Sequence, residues 1–100
     1  MISEAVHRYL IAFDIIDDLR RSRVAKELES YGDRIQYSVF IVDVKPAKLV
    51  RLTDALRLLM ESDTDSALIC DLGPFTPGGR TRLRFLGRER PITGHGPLIL

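Results

Sequence analysis

The sequence predicts an α+β fold, a ferredoxin-like sheet carrying two helices on one face. Three observations lead there. Two segments repeat apolar residues at helical spacing, and β-branched or apolar runs precede, separate and follow them. A chain of 100 residues makes one small domain, residues 1–100. With 45% hydrophobic and 29% charged residues it has apolar surface enough for a core, unlike a disordered chain.

The elements follow in order after a short N-terminal extension at 1–6. Residues 7–13 read as a buried strand because Leu10, Ile11, Ala12 and Phe13 form a continuous apolar run. Asp17 and Asp18 offer an N-cap ahead of a helix over 18–31, in which Val24, Ala25, Leu28 and Tyr31 share a face. Gly32 is the expected left-handed stop. "RIQYSVFIVDV" then reads as one strand, with Ile35, Tyr37, Val39 and Ile41 on one side and Gln36, Ser38, Phe40 and Val42 on the other.

Pro46 suits the first turn of a second helix over 46–62, whose stripe is Leu49, Leu52, Leu56, Leu59 and Met60. "SALICDL" is the third strand. Residues 73–100 read as an arginine-rich hairpin, in which "RTRLRFLG" alternates as a strand, followed by a C-terminal strand at "PLIL". This order is β-α-β-α-β-β-β, and the βαββαβ order of a ferredoxin-like sheet requires "RIQYSVFIVDV" to be divided. The apolar "PLIL" end has no slot in so small a sheet, which suggests strand exchange in a homodimer.

Charge is unevenly distributed. The net charge is +1, yet five arginines and a single acid, Glu89, lie beyond Asp71. No apolar run approaches the ~20 residues of a membrane span, and "MISEAVHR" lacks the basic start and apolar stretch of a signal peptide, so a cytoplasmic protein is expected. One cysteine, Cys70, excludes an intramolecular disulfide or a cysteine-cluster zinc site and is expected to pack as a small hydrophobe.

Candidate chemistry centres on Asp14, at the C-terminal end of the first strand, where α/β sheets expose functional groups. A carboxylate left alone there needs a donor, an arginine from the first helix, a metal ion or a second chain. Mg²⁺ is commonly held by one or two carboxylates plus waters and substrate phosphates. One Asp14 makes a poor site, and two across a dimer axis make an adequate one. Asp17 and Asp18 are assigned to capping. Ser38 lacks a histidine at supporting spacing, and His7 and His95 have no visible partner. Tyr9, Phe13, Tyr31, Tyr37 and Phe40 are core by pattern. Arg80, Arg82 and Arg84 on one strand face suit a phosphate backbone, an acidic partner or a solvated edge. No phosphate loop or dinucleotide fingerprint is present.

Three stretches, "YLIAFDIIDD", "RRSRVAKELESYGDRIQYSVF" and "DSALICDL", resemble the small CRISPR-associated protein two family, the partner of the spacer integrase. The likeness runs from Tyr9 to Leu72 and is most specific in the "YG-x-RIQ-S-VF" piece, since no general fold requirement asks for that Gln and Ser. The resemblance implies a ferredoxin-like homodimer in which each last strand joins the partner's sheet. It implies that Asp14 is the catalytic strand-end aspartate, holding Mg²⁺ or another divalent cation with its mate across the two-fold. Arg21, Arg23 and Arg34 fall on the family's basic positions, joined here by Arg80, Arg82 and Arg84 as candidate nucleic-acid contacts. Ser38 and Phe40 fall on its second-strand motif at the dimer surface, and Phe13 stands where tyrosine is frequent.

Family members are described as metal-dependent nucleases on single-stranded RNA or duplex DNA, and as non-catalytic bridges in spacer acquisition. A ribonuclease toxin of the virulence-associated protein D kind and a small-molecule-sensing domain are the alternative readings on the same scaffold.

Overall fold

The computed structural model describes residues 5–79 and 82–92. Its elements are β1 (His7–Asp14), α1 (Asp18–Glu29), β2 (Gly32–Gln36), β3 (Val39–Val44), α2 (Pro46–Leu59) and β4 (Ser66–Pro74). The sheet order is β2-β3-β1-β4, with every neighbouring pair antiparallel. Each helix connects two strands that are not adjacent, which is the split βαβ arrangement of ferredoxin-like folds.

Both helices cover one face. Along β1 the residues Tyr9, Ile11 and Phe13 are buried, alternating with more open neighbours, as period-two strand geometry requires. They meet Phe40, Val42 and Val44 of β3, Val24, Ala25 and Leu28 of α1, and Leu52 and Leu56 of α2 in one core. Tyr31, Leu49, Leu59, Met60 and Ala67 pack around its margin. Asp17 caps α1 by accepting from the Arg20 amide at 2.9 Å, and Pro46 opens α2.

Four expectations are corrected. "RIQYSVFIVDV" is two strands, joined by a two-residue loop at Tyr37–Ser38 and registered through Gln36 opposite Val39. A two-residue hairpin loop usually announces itself with Asn-Gly or Asp-Gly, because its common turn types require positive φ. Neither Tyr37 nor Ser38 has positive φ, and a register shift between Arg34 and Gln36 accommodates the strand pairing instead.

Gly32 is not a left-handed stop: it opens β2, and Ser30 caps α1 in right-handed conformation. Glycine is required there by proximity, since a Cβ would overlap the Ile41 carbonyl oxygen. Cys70 is exposed, because β4 is an edge strand and its outward face is not under the helices. The "RTRLRFLG" segment is not a strand: its described residues from Arg82 onward are irregular. A strand persists only where its backbone finds a ladder to join. Arg80, His95 and the "PLIL" end lie outside the described residues. Among the described residues no helix is long and apolar enough to cross a membrane.

Candidate nucleic-acid and metal site at the end of β1

β1 ends at Asp14, which lies opposite Ser66 of β4 and is exposed. On the other side the preceding residue is tied to the hairpin loop, as the Phe13 amide donates to the Ser38 carbonyl at 3.0 Å. Asp14 therefore emerges at the junction of β1, β4 and the β2–β3 turn. Its carboxylate makes no hydrogen bond or ion pair among the described residues, so of the partners open to it a helix-one arginine is not the one taken within this chain.

The arginines of α1 are engaged elsewhere. Arg20 reaches Asp65, with Nε 2.8 Å and Nη2 3.2 Å from its two carboxylate oxygens. Asp65 is buried and also accepts from the Glu61 amide at 2.9 Å. The Arg20 guanidinium, with that amide, holds the Asp65 carboxyl below the usual carboxylate range. Sequence pattern gave no sign of this pair, since Asp65 is one of several acids in a polar turn.

Arg21 works as a clamp. Its Nη1 donates to the carbonyls of Ile15 at 3.0 Å and Ile16 at 3.1 Å, its Nη2 pairs with Asp18, and its Nε donates to the Tyr37 hydroxyl at 3.2 Å. One planar fork thus fastens the chain leaving Asp14 to the helix and to the hairpin loop. The hydrogen bond to Asp18, and then that to Tyr37, raise the Arg21 pKa further.

Arg34 of β2 lies 3.7 Å from a Glu29 oxygen and over two aromatic rings, those of Phe40 at 5.3 Å and Tyr37 at 5.6 Å. Its Nε is buried without a hydrogen-bond partner. Arg23 is exposed and makes no side-chain hydrogen bond or ion pair among the described residues. Ser38 supplies its carbonyl to β1 from the hairpin loop.

The structure brings Asp14, Arg21, Arg34 and Ser38 to one end of the sheet. Phe13 and Phe40 lie beneath them, stacked with ring centroids 6.1 Å apart. Phe40 is fully buried in its own protomer's core, where its side of β3 faces the helices. Tyr37, expected in the core, is 66% exposed, because the division of the strand carries it onto the loop.

Arg82 is not brought to Asp14. It lines a cavity of about 170 Å³ with Arg8, Phe75 and Thr76, at the opposite end of β1. Arg84 is exposed. At that opposite end the acids Asp43 and Asp71 have partners within the protomer. Arg8 grips Asp43 with two hydrogen bonds of 2.8 and 2.9 Å and lies 4.6 Å from the Phe75 ring centroid. His7, expected to be unpartnered, has Nδ1 3.0 Å from an Asp71 oxygen, and that contact lowers the Asp71 pKa, helped by the Gly73 amide. Cross-strand position explains the pairing, which sequence alone could not register.

Comparison with known proteins agrees with this arrangement. Residues 7–74 match the family described as CRISPR associated protein Cas2. The CRISPR-associated endoribonuclease Cas2 4 of Rhodospirillum rubrum is 45% identical over 97% of this chain and 76% of its own length. The CRISPR-associated endoribonuclease Cas2 of Thermus thermophilus is 35% identical over 81% of this chain and 86% of its own.

Among solved structures, hypothetical protein TT1823 from Thermus thermophilus superposes with a TM-score of 0.73 at 31% identity, covering 87% of this chain and 98% of that one. Streptococcus pyogenes Cas2 gives 0.63 at 32% identity, covering 66% of this chain and 86% of that one. The strand order, the strand-end aspartate with its arginine-braced loop and these matches together make the chain a member of the CRISPR-associated protein Cas2 family.

Proposed function

We propose that this chain acts as a homodimer in CRISPR spacer acquisition, alongside the integrase, and that its own chemistry is metal-dependent cleavage of single-stranded RNA. One observation carries the chemical part. Among the described residues Asp14 is a carboxylate that the nearby arginines leave unneutralised, although two of them lie within its neighbourhood of loop and hairpin. An exposed, unpaired acid at a strand end, beside cationic side chains, suits a cation that is shared with a phosphate. The endoribonuclease names of the relatives support the same reaction class.

The donor set fits a divalent cation as a half-site. Among the described residues no group of three or more His, Cys, Asp and Glu side chains could enclose a metal. Mg²⁺ keeps several waters and commonly takes one or two carboxylates with substrate phosphate, so Asp14 from each of two protomers is a sufficient protein contribution. When bound, such a cation polarises a phosphodiester and lowers the pKa of a coordinated water.

The rest falls to the chain. Asp14 holds its position because Phe13 is anchored to Ser38 and because Arg21 fixes the backbone just beyond it. Arg23 and Arg34 bring positive charge to the phosphates of the RNA strand, and Arg82, toward the other end of β1, with the exposed Arg84 offers separate positive charge to duplex DNA or the integrase.

Subunit mixing tests this reading. Cleavage of a labelled single-stranded RNA should require Mg²⁺ and stop on chelation. Adding excess Asp14→Asn protomers should silence wild-type protomers by forming mixed dimers. Activity that survives chelation, or falls only in proportion to dilution, would remove the shared carboxylate site.

A further inference from the structure

The geometry points to Tyr37 as a stacking platform for an unpaired nucleobase beside Asp14, an inference that rests on the nucleic-acid reading above. Four side chains form a column from the core to the surface. Phe13 stacks on Phe40 at 6.1 Å between centroids, the Arg34 guanidinium lies 5.3 Å from the Phe40 ring, and the same guanidinium lies 5.6 Å from the Tyr37 ring. The column begins on the residue before Asp14 and ends on an aromatic ring that is 66% exposed.

That ring is held in place. Arg21 donates to its hydroxyl at 3.2 Å and approaches its centroid to 5.7 Å, while the neighbouring Ser38 carbonyl is bonded to β1. An exposed aromatic that is already fixed loses little freedom when a flat group lies on it. Two guanidinium groups flank it, and one carries a buried Nε without a partner.

Every base has a π face, so stacking accepts any sequence, and guanidinium charge beside the ring suits the attached phosphate. Bases inside a duplex have both faces covered by their neighbours and cannot use such a platform. Tyr37 is therefore a specificity-determining residue that favours single strands over duplexes.

The test uses the full chain, with Ca²⁺ in place of Mg²⁺, and a single-stranded RNA carrying one 2-aminopurine. Stacking on Tyr37 should quench its fluorescence in the wild type, in Tyr37→Phe and in Asp14→Asn. Tyr37→Ala should bind the single strand about tenfold more weakly, with duplex DNA affinity unchanged. The inference falls if Tyr37→Ala binds single strands like the wild type, weakens single and double strands equally, or breaks the dimer in light scattering. A wild type that binds no oligonucleotide would overturn the proposed function as well. A wild type that binds and cleaves RNA alongside an indistinguishable Tyr37→Ala would overturn the stacking role alone.

Discussion

The two ends of β1 receive similar residue types and treat them differently. At the His7 end, the acids find partners within the protomer: Arg8 and Asp43 form a two-bond pair, and His7 meets Asp71. At the Asp14 end, roughly 23 Å away by strand rise, the acid has no partner among the described residues while adjacent arginines bond to Asp65, Asp18, Tyr37 and backbone carbonyls. The first end spends its charges on holding the sheet together. The second is braced by charges that do not reach the acid, which keeps the acid available to a ligand. Proximity in sequence to an arginine is thus a poor guide to which carboxylate is neutralised.

Phe40→Ala should produce the largest change and break the Asp14 end from below. Phe40 is fully buried beneath Arg34 and against Phe13, and truncating such a side chain costs about 3–5 kcal/mol. Chemical denaturation should show the midpoint fall accordingly, and a loss below about 1 kcal/mol would mean that the column is not packed as described.

Asp14→Asn should do the reverse. The carboxylate has no partner to lose among the described residues, so the melting temperature should stay within about a degree or rise. RNA cleavage should fall on the order of a hundredfold or more, the scale of removing an electrostatic contact at a reacting centre. A destabilised variant with normal turnover would invert the contrast between the two ends.

Arg8→Met should cost about 1–3 kcal/mol, since it leaves a half-buried Asp43 without its donors. Cleavage measured well below the melting temperature should be unaffected. Acid should weaken the fold through Asp65 and Asp71, whose folded pKa values lie below the usual range. Their contribution is complete above the unfolded carboxylate pKa of about 3.9 and is lost as pH falls through the lower folded values. Asp65→Asn should flatten that acid limb in a melting series. A limb of unchanged slope would deny Asp65 its role.

The smallest effect is expected from His7→Ala, which should leave the cleavage rate and its pH profile unchanged, because His7 is at the far end of the strand from Asp14. A loss of more than about tenfold would place a general base where none is assigned.

The helices, the first strand, β4 and the place of Asp14 at the strand end were legible because each depends on local pattern: apolar spacing, a capping aspartate, Pro46, an acid closing an apolar run. Three features were not. The hairpin loop lacks positive φ and therefore lacks the glycine or asparagine that would mark it. Tyr37 was misplaced for that reason alone, since alternation along an undivided strand put it beside Ile35 and Val39. The pairs Arg20–Asp65, Arg8–Asp43 and His7–Asp71 join residues 45, 35 and 64 positions apart, and no local rule selects among so many charges. The βαββαβ order required "RIQYSVFIVDV" to be divided, but nothing in its periodicity said where.

The single bond from the Phe13 amide to the Ser38 carbonyl gives the hairpin loop its own clock. Amide exchange with solvent requires that bond to open, and the loop can detach without unfolding the central β1–β3 ladder. Deuterium uptake at Phe13 therefore reports how often the loop lifts from the strand end, while Ile11 and Val42 deeper in the sheet report global unfolding. A nucleotide or metal that bridges the loop and Asp14 would slow the first exchange rate by far more than the second.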